Sequence, residues 1–412
     1  MSADVSREYC ALAWGEVDLE VNAAGRRPAP RSKPTHYQTP GRLPNTMRAG
    51  DNRKMTVCRM FSIAVLVAAA ASPAPCGDWN KQLAAEYLDS RQKEWFAWAP
   101  AAAPGGPCVS CHTGVSYLLA RPALRKALGE QDSTSYEAGL LAGLRSRLER
   151  NESMFRPHSE GPRAAQDASV EAILCALSLT LAEPARSTLS PATSKALDRM
   201  WSLQIREGAA EGSWPWFDLN LDPWEAPAAT FYGASLAAVA AGAAPASYRE
   251  KPEVRERIAA LAGYLSREQQ AQPLHNRLLL LWASAKLPDV LPEATRRQIL
   301  SEVWQKQQAD GGWTIESLGP WKKREAAPRS EGSNSYATGL AAFTLQQAGI
   351  SRSDARLTRA VEWLKSHQDA QTGSWPADSM NKIYEPGSIP LLFMRDAVTA
   401  FATLALLEGD GR

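Results

Sequence analysis

The sequence predicts an all-α protein. Alanine and leucine are abundant and β-branched residues are few, a composition that favours helices over strands. After about residue 78, apolar residues recur at helical spacing in most segments. In the second half of the chain, several of the 14 tryptophans stand close behind glycines at comparable intervals. Together these features predict an array of repeated helix pairs, in which each pair is stabilised by its neighbours.

The first part of the chain reads differently from the rest. Residues 1–54 are rich in Arg, Pro, Asn and Gly, and we interpret them as a disordered leader or as an extension from a wrongly assigned start. Arg53, Lys54 and Arg59 precede the apolar run Met60–Ala71, which ends in small residues, and we interpret 55–72 as a secretory signal peptide. We therefore expect a periplasmic or secreted protein. We expect no transmembrane segment in the mature chain.

Near-neutral charge limits the kinds of partner. The chain has 46 basic and 44 acidic residues, a net charge of +2, which argues against nucleic acid as the main partner.

The motif Cys108-Val109-Ser110-Cys111-His112 carries the strongest chemical signal. Two cysteines three positions apart, followed directly by a histidine, are the attachment signature of a c-type haem. Cys108 and Cys111 would form thioethers with the haem vinyl groups, and His112 would bind the iron, with one haem c per chain. A disulfide between the two cysteines and a zinc site remain as alternatives, although no second ligand pair supports zinc.

The sixth iron ligand is less well defined by the sequence. Met154 and His158 are the first candidates, because they lie in the polar loop predicted at 154–166, near the motif. The further candidates are His275, His367, Met200, Met380 and Met394. The two histidines are expected to be surface groups near helix ends. Arg121 and Arg125 could pair a haem propionate.

The helices before the repeats are predicted at 78–98, 113–128, 137–150 and 170–181. The motif would then lie in the loop between the two helices of the first repeat, within one domain at 78–412. A small cytochrome domain at 78–190 is the alternative.

At three places in the chain, a glutamine at the end of a predicted helix is followed by a Gly-x-Trp turn. These segments run from Gln204 to Trp214, from Gln308 to Trp313 and from Gln368 to Trp375. This pattern resembles the repeat of squalene-hopene cyclases. The resemblance covers about 195–412 and implies an α/α toroid of the terpenoid cyclase and prenyltransferase kind, in which the Gln and Trp tie neighbouring helices together.

The resemblance to squalene-hopene cyclases does not extend to the residues that catalyse cyclisation. The Asp-x-Asp-Asp acid motif is absent, and the acidic patch 218–225 has the wrong spacing, so we expect it to be a surface turn or loop cap. Cys175 is expected to be a core residue. The sequence therefore favours an exported c-type haem protein with an electron-transfer or redox role and a periplasmic redox partner. Enzymatic activity stays uncertain, with a haem-dependent oxidoreductase as one possibility.

Two alternatives stay open. One is an isoprenoid-related enzyme or lipid binder that uses the cavity of the toroid. The other is a structural or interaction protein whose Cys-x-x-Cys is a disulfide.

Overall fold

The computed structural model describes residues 78–410, except 104, 152–161, 184–187, 323, 325–326 and 328–330. The predicted leader and signal peptide, and the proposed ligands Met154 and His158, lie outside the described residues. All described residues belong to one compact unit, so the motif and the repeats share it.

The described part of the chain is helical, and the all-α prediction is confirmed. The helices are α1 (Lys81–Ala97), α2 (Ser116–Leu128), α3 (Ser135–Arg150), α4 (Pro162–Ala182), α5 (Pro191–Ser202), α6 (Ala229–Ala243), α7 (Ala246–Arg249), α8 (Pro252–Glu268), α9 (Leu274–Lys286), α10 (Glu293–Gln305), α11 (Ser335–Gln347), α12 (Ala355–Ser366) and α13 (Ile389–Asp410). A short antiparallel pair, β1 (Ala102–Ala103) and β2 (Gly106–Pro107), precedes the motif.

Capping residues explain where several helices begin. The side chain of Asn80 accepts a hydrogen bond from Leu83 N at the start of α1, and Thr134 forms a capping box with Glu137 at the start of α3. The predicted loop at 154–166 is wrong from Pro162 onward, because α4 begins there. Proline is tolerated in the first turn of a helix. The first turn of α4 contains polar residues, so apolar spacing could not indicate that the helix begins there.

Six of the helices pack in a closed order. Helix α2 contacts α4, α4 contacts α6, α6 contacts α9, α9 contacts α11, α11 contacts α13, and α13 returns to α2. Three consecutive helices of this circuit, α6, α9 and α11, are buried over most of their length. Helices α1, α3, α5, α8, α10 and α12 pack against members of this circuit. The chain thus alternates between the circuit and the helices outside it.

We call the helices outside the circuit the outer helices. Each Gly-x-Trp turn connects one outer helix to the next. The indole nitrogens of Trp214, Trp313 and Trp375 donate to backbone carbonyls at the end of the preceding helix, at 2.7, 2.8 and 2.8 Å. All three tryptophans are fully buried. The turn glycine has φ +92°, +98° or +73°, and a Cβ there would collide with the backbone of the following outer helix. Glycine is therefore required at these positions for both conformation and space.

The repeat glutamines bridge the same junctions. Gln204 donates to the carbonyls of Gly212 and Arg257, both at 3.1 Å, and so connects its turn to α8. Gln368 donates to Gly373 O at 2.9 Å and to Asn80 O at 3.0 Å, which ties the last repeat to the start of α1.

In the middle repeat the bridging residue is Gln307, not the predicted Gln308. Gln307 donates to the carbonyls of Gly311 and Arg356, both at 2.8 Å, whereas Gln308 is exposed and its side chain contacts Lys306 O. The assignment of Gln308 is therefore wrong by one position. Two adjacent glutamines before the same glycine could not be distinguished by spacing.

Two helices are long and apolar enough to cross a membrane, by length and composition alone. They are Pro162–Ala182 and Ile389–Gly409. In the structure, 72% and 67% of their most apolar windows are buried inside the protein. Both belong to the circuit, where α4 packs against α6 and α13 against α11. Their apolar composition is therefore used in helix packing.

Candidate functional site

The motif lies between α1 and α2, directly after β2. Trp95 on α1 donates its indole N–H to Cys108 O at 2.7 Å. The Ser110 hydroxyl accepts from the backbone N–H groups of Thr113 and Gly114, and so caps the π-helical turn Cys111–Val115. That turn continues into α2. The chain geometry therefore fixes Cys111 and His112 at the beginning of a helix.

Asp396 anchors this turn to the first and last helices. Its carboxylate accepts from Tyr87 OH at 2.9 Å, from Arg91 Nε at 2.9 Å and from Thr113 Oγ1 at 2.7 Å. The side chain is 1% exposed. Burial raises the pKa of the Asp396 carboxyl, and Arg91, Thr113 and Tyr87 oppose that shift. With three donors converging on it, we assign the group as a carboxylate that pairs with Arg91.

His112 is a buried, neutral imidazole. It is 8% exposed, and burial lowers its pKa to about 3. Its ring lies 4.3 Å from the ring of Trp224 and 6.5 Å from that of Phe393, measured between centroids. A neutral imidazole keeps the nitrogen lone pair that binds a metal.

The two cysteines of the motif differ in state. Cys108 is disulfide-bonded. Cys111 and Cys175 are free thiols, so neither is its partner. The expected alternative of a disulfide between Cys108 and Cys111 is therefore contradicted. Burial raises the pKa of both free thiols, to about 12 for Cys175, which lies in the core as predicted.

His112 lines a cavity of about 80 Å³. Its other walls come from the loop 221–225, from Ile315, Asn334 and Tyr336, from the segment 378–384, and from the first turns of α13. Met380 and Met394 are among the lining residues, as are the aromatic rings of Trp224, Tyr336 and Tyr384. The cavity thus combines a histidine with two thioether sulfurs in mainly apolar surroundings.

The neighbourhood of this cavity carries exposed apolar surface. Among the residues that the structure describes, Ile383 and Ile389 are the large hydrophobic side chains that are exposed, at 71% and 39%. Ile383 adjoins Tyr384, and Ile389 adjoins Pro390, both of which line the cavity. Ile383 and Ile389 are two single side chains, a number that is normal on a protein surface.

Glu225 is a buried carboxyl beside the motif, and it contradicts the expectation that the acidic patch 218–225 is only a surface turn. It is 4% exposed, and its Oε1 has no hydrogen-bond partner among the described residues. Burial raises its pKa to about 8, so the group is mostly protonated at neutral pH. It lines the His112 cavity and also a second, smaller one beside Cys111 and Tyr232.

Of the candidates for the sixth ligand that the structure describes, some lie beside His112 and others lie elsewhere. Met380 and Met394 line the cavity with His112. Met200 is buried in the core, and His367 is an exposed residue stacked on Trp363 with 3.7 Å between ring centroids. His275 was expected to be a surface group, and this is wrong, because it is completely buried. Its helix α9 is one of the enclosed helices of the circuit.

Arg121 and Arg125 are engaged elsewhere, contrary to the suggestion that they could pair a propionate. Arg121 forms ion pairs with Asp89 at 3.0 Å and with Glu130 at 2.7 Å, and Arg125 lies 3.4 Å from Glu137. Both therefore stabilise the packing around α2.

Sequence comparison adds no assignment. No protein-family model matches the chain, and no curated protein matches it significantly. The motif and the geometry around it are therefore the features that bear on function.

The donor types near the motif are those of a c-type haem, but the cavity beside them does not accommodate one as it stands. Neutral His112 lines one cavity with two methionines, whereas the free thiol of Cys111 lines the smaller cavity. A thioether at Cys108 requires that its disulfide be reduced first, because one sulfur cannot form both bonds. A cavity of about 80 Å³ is also smaller than a macrocycle, and neither cysteine of the motif lines it.

Proposed function

We propose that this chain is an exported c-type haem protein on an α/α toroid similar to that of squalene-hopene cyclases, and that it transfers electrons to or from a partner protein in the periplasm. The observation that carries the proposal is a Cys-x-x-Cys-His motif whose buried, neutral histidine lines a cavity together with two methionines.

The closed packing order supports the toroid. Six helices follow one another around a circuit, and Gln368 joins the last repeat to the first outer helix. This is the arrangement expected when repeated helix pairs close into a ring. The Gly-x-Trp turns have the tying role that the resemblance implies.

Residues of this chain would attach the haem and bind its iron. A c-type haem supplies one-electron chemistry at its iron. Cys108 and Cys111 would attach it, and His112 would bind the iron. Trp224 and Phe393 pack against the imidazole and limit its rotation. Met394 or Met380 would supply a second protein ligand, and a site closed in this way would favour electron transfer over substrate binding at the iron.

The test is expression with and without the haem-attachment machinery, followed by the pyridine haemochrome spectrum of the denatured protein. We expect one covalent haem per chain, lost in Cys108→Ala/Cys111→Ala. Cys175→Ala is the matched control, because it removes a buried free thiol outside the motif and should keep its haem. A wild-type protein without covalent haem, produced beside a known cytochrome that does receive it, refutes the proposal.

A second candidate is a binder of isoprenoid-like lipids. The mainly apolar walls of the His112 cavity favour it. Mass spectrometry of organic extracts from the purified protein tests it. A stoichiometric lipid together with the absence of haem would favour this candidate.

A further inference from the structure

Three acidic side chains line the His112 cavity, and no lysine or arginine among the described residues does so. They are Asp222, Glu225 and Asp378. Glu225 is buried, Asp222 is half-buried and Asp378 is exposed, so acidic groups follow the cavity from the interior towards the surface. His112 brings no compensating charge, because burial lowers its pKa to about 3. The walls of the cavity therefore favour a positively charged occupant over an anion.

Glu225 lacks the hydrogen bond that a buried carboxyl group needs. It is 4% exposed, and its Oε1 has no partner among the described residues. The loop fixes its backbone, because its N–H donates to Leu221 O and its carbonyl accepts from Leu219 N and Leu221 N. Arg163 opposes the raised pKa of Glu225 but pairs with Asp167 at 3.1 Å. A ligand that donates an N–H to Oε1 would supply the missing hydrogen bond.

The basic side chains around this loop are bound outside the cavity. Lys322 Nζ donates to Asn220 Oδ1 at 3.0 Å, and the guanidinium of Arg324 donates to Asn220 O. Lys382 lies over the ring of Tyr384, with 5.4 Å between its nitrogen and the ring centroid, and it does not line the cavity. The positive charge that would suit the cavity walls must therefore come from a ligand.

A bare metal ion does not fit this set of groups. Among the described residues, no three His, Cys, Asp or Glu side chains are grouped so that they could hold one. An organic cation needs no such coordination, and the remaining walls suit it. Trp224, Tyr336 and Tyr384 contribute aromatic rings, which attract cations and pack against alkyl groups, and Met380 and Met394 contribute polarisable thioethers.

The size of the cavity limits the ligand to a small group. A cavity of about 150 Å³ accepts benzene, so one of about 80 Å³ accommodates about three or four non-hydrogen atoms. Propylammonium has this size. One of its N–H groups would donate to Glu225 Oε1, while its alkyl chain would contact the apolar walls.

We propose that the His112 cavity binds a short alkylammonium ion, which donates a hydrogen bond to Glu225 and whose charge is balanced by the acidic side chains of the cavity. The inference goes beyond the proposed function and needs no haem. A haem bound at His112 would occupy the same space, so this ligand belongs to the chain before haem is attached.

The test is a titration followed by saturation-transfer NMR, on the full chain produced without the haem-attachment machinery. Propylammonium is compared with 1-propanol, which has as many non-hydrogen atoms and no charge, and with propionate. We expect saturable binding of propylammonium with a Kd of about 1 mM, and binding at least ~10-fold weaker for both other probes. Binding of 1-propanol or propionate as tight as that of propylammonium, or no binding of any probe, overturns the proposal.

Variants locate the bound ion. Glu225→Gln keeps the shape of the side chain and should weaken propylammonium binding by ~10-fold or more, because hydrogen bonds to charged groups are stronger than neutral ones. Ala397→Leu fills the cavity, leaves every acidic group in place and should also weaken binding. Asp218→Asn is the matched control, because it removes an exposed acidic group of the same loop that does not line the cavity.

The outcomes separate the cavity from the acidic surface. Binding that is unchanged in either Glu225→Gln or Ala397→Leu, or that falls equally in Asp218→Asn, overturns the proposal. If a variant fails to fold, the comparison of the three probes on the wild type still decides. A chain that never takes up haem but binds propylammonium in this way refutes the haem proposal and supports this one.

Discussion

Replacing Asp396 by asparagine tests whether this residue holds the motif turn between the first and last helices. Asparagine keeps the shape but places an amide group opposite three donors, from Tyr87, Arg91 and Thr113. Arg91 would then be left buried without its main counter-charge. We therefore expect a loss of stability and a loosened motif turn.

The size of the loss follows from the burial of the pair. Breaking a buried ion pair by removing one partner costs about 3–5 kcal/mol. Arg91 also contacts Glu94, whose side chain is 64% exposed, and this residual partner places the expected loss in the lower half of that range. With an unfolding entropy of about 2.1 cal/mol/K per residue over about 330 residues, the melting temperature should fall by about 4–6 °C.

The assay is thermal unfolding followed by circular dichroism, with Asp354→Asn as the matched control. Asp354 pairs with Arg356 near the surface, where their side chains are 22% and 46% exposed, and it caps α12; asparagine caps equally well. Its replacement should cost less than about 1 kcal/mol. If Asp396→Asn lowers the melting temperature no more than this control does, the anchoring role of Asp396 is wrong.

Three further changes test other parts of the structure. Gln307→Ala should cost about 1–2 kcal/mol in a urea denaturation, because it removes two hydrogen bonds between repeats, whereas Gln308→Ala should be neutral, and equal losses would contradict the corrected register. Burial raises the pKa of Glu225 to about 8, so folding favours the protonated form, and the wild type should lose stability relative to Glu225→Gln as pH rises from about 5 to about 8; a difference that does not change with pH refutes this. In haem-loaded protein, either Met394→Leu or Met380→Leu should abolish the red charge-transfer band of methionine-bound ferric haem while the other keeps it, and a band that survives in both excludes these two ligands.

The repeats could be predicted from the sequence because their signal is local. Glycine is needed where the backbone has a positive φ and the next helix approaches closely, and tryptophan fills the space behind it, so the pair stands out at any single turn. The choice between Gln307 and Gln308 depends on which side chain reaches Arg356, which lies on a helix far along the chain. Spacing carries no information about that contact.

The walls of the site could not be predicted for the same reason. The sequence singled out the motif, but His275 was taken for a surface residue and Glu225 for part of an exposed turn. Both are buried because residues distant in sequence close around them. Met394 was only one of several equal candidates until the packing of α13 placed it in the His112 cavity. Apolar spacing in the sequence predicts that a segment is a helix. Which helix lies beside the motif is known only from the packing of the circuit.

The position of the motif at the closing point of the circuit has a consequence for haem attachment. Thr113 reaches Asp396 on the last helix, and Cys108 is buried. An attachment enzyme cannot present a macrocycle to the buried Cys108, and the cavity beside His112 is too small to receive one without movement. The proposed function therefore requires that Cys108 and Cys111 react before α13 packs against α2. Haem attachment would then precede the last step of folding, and the final helix would close over a group already bound.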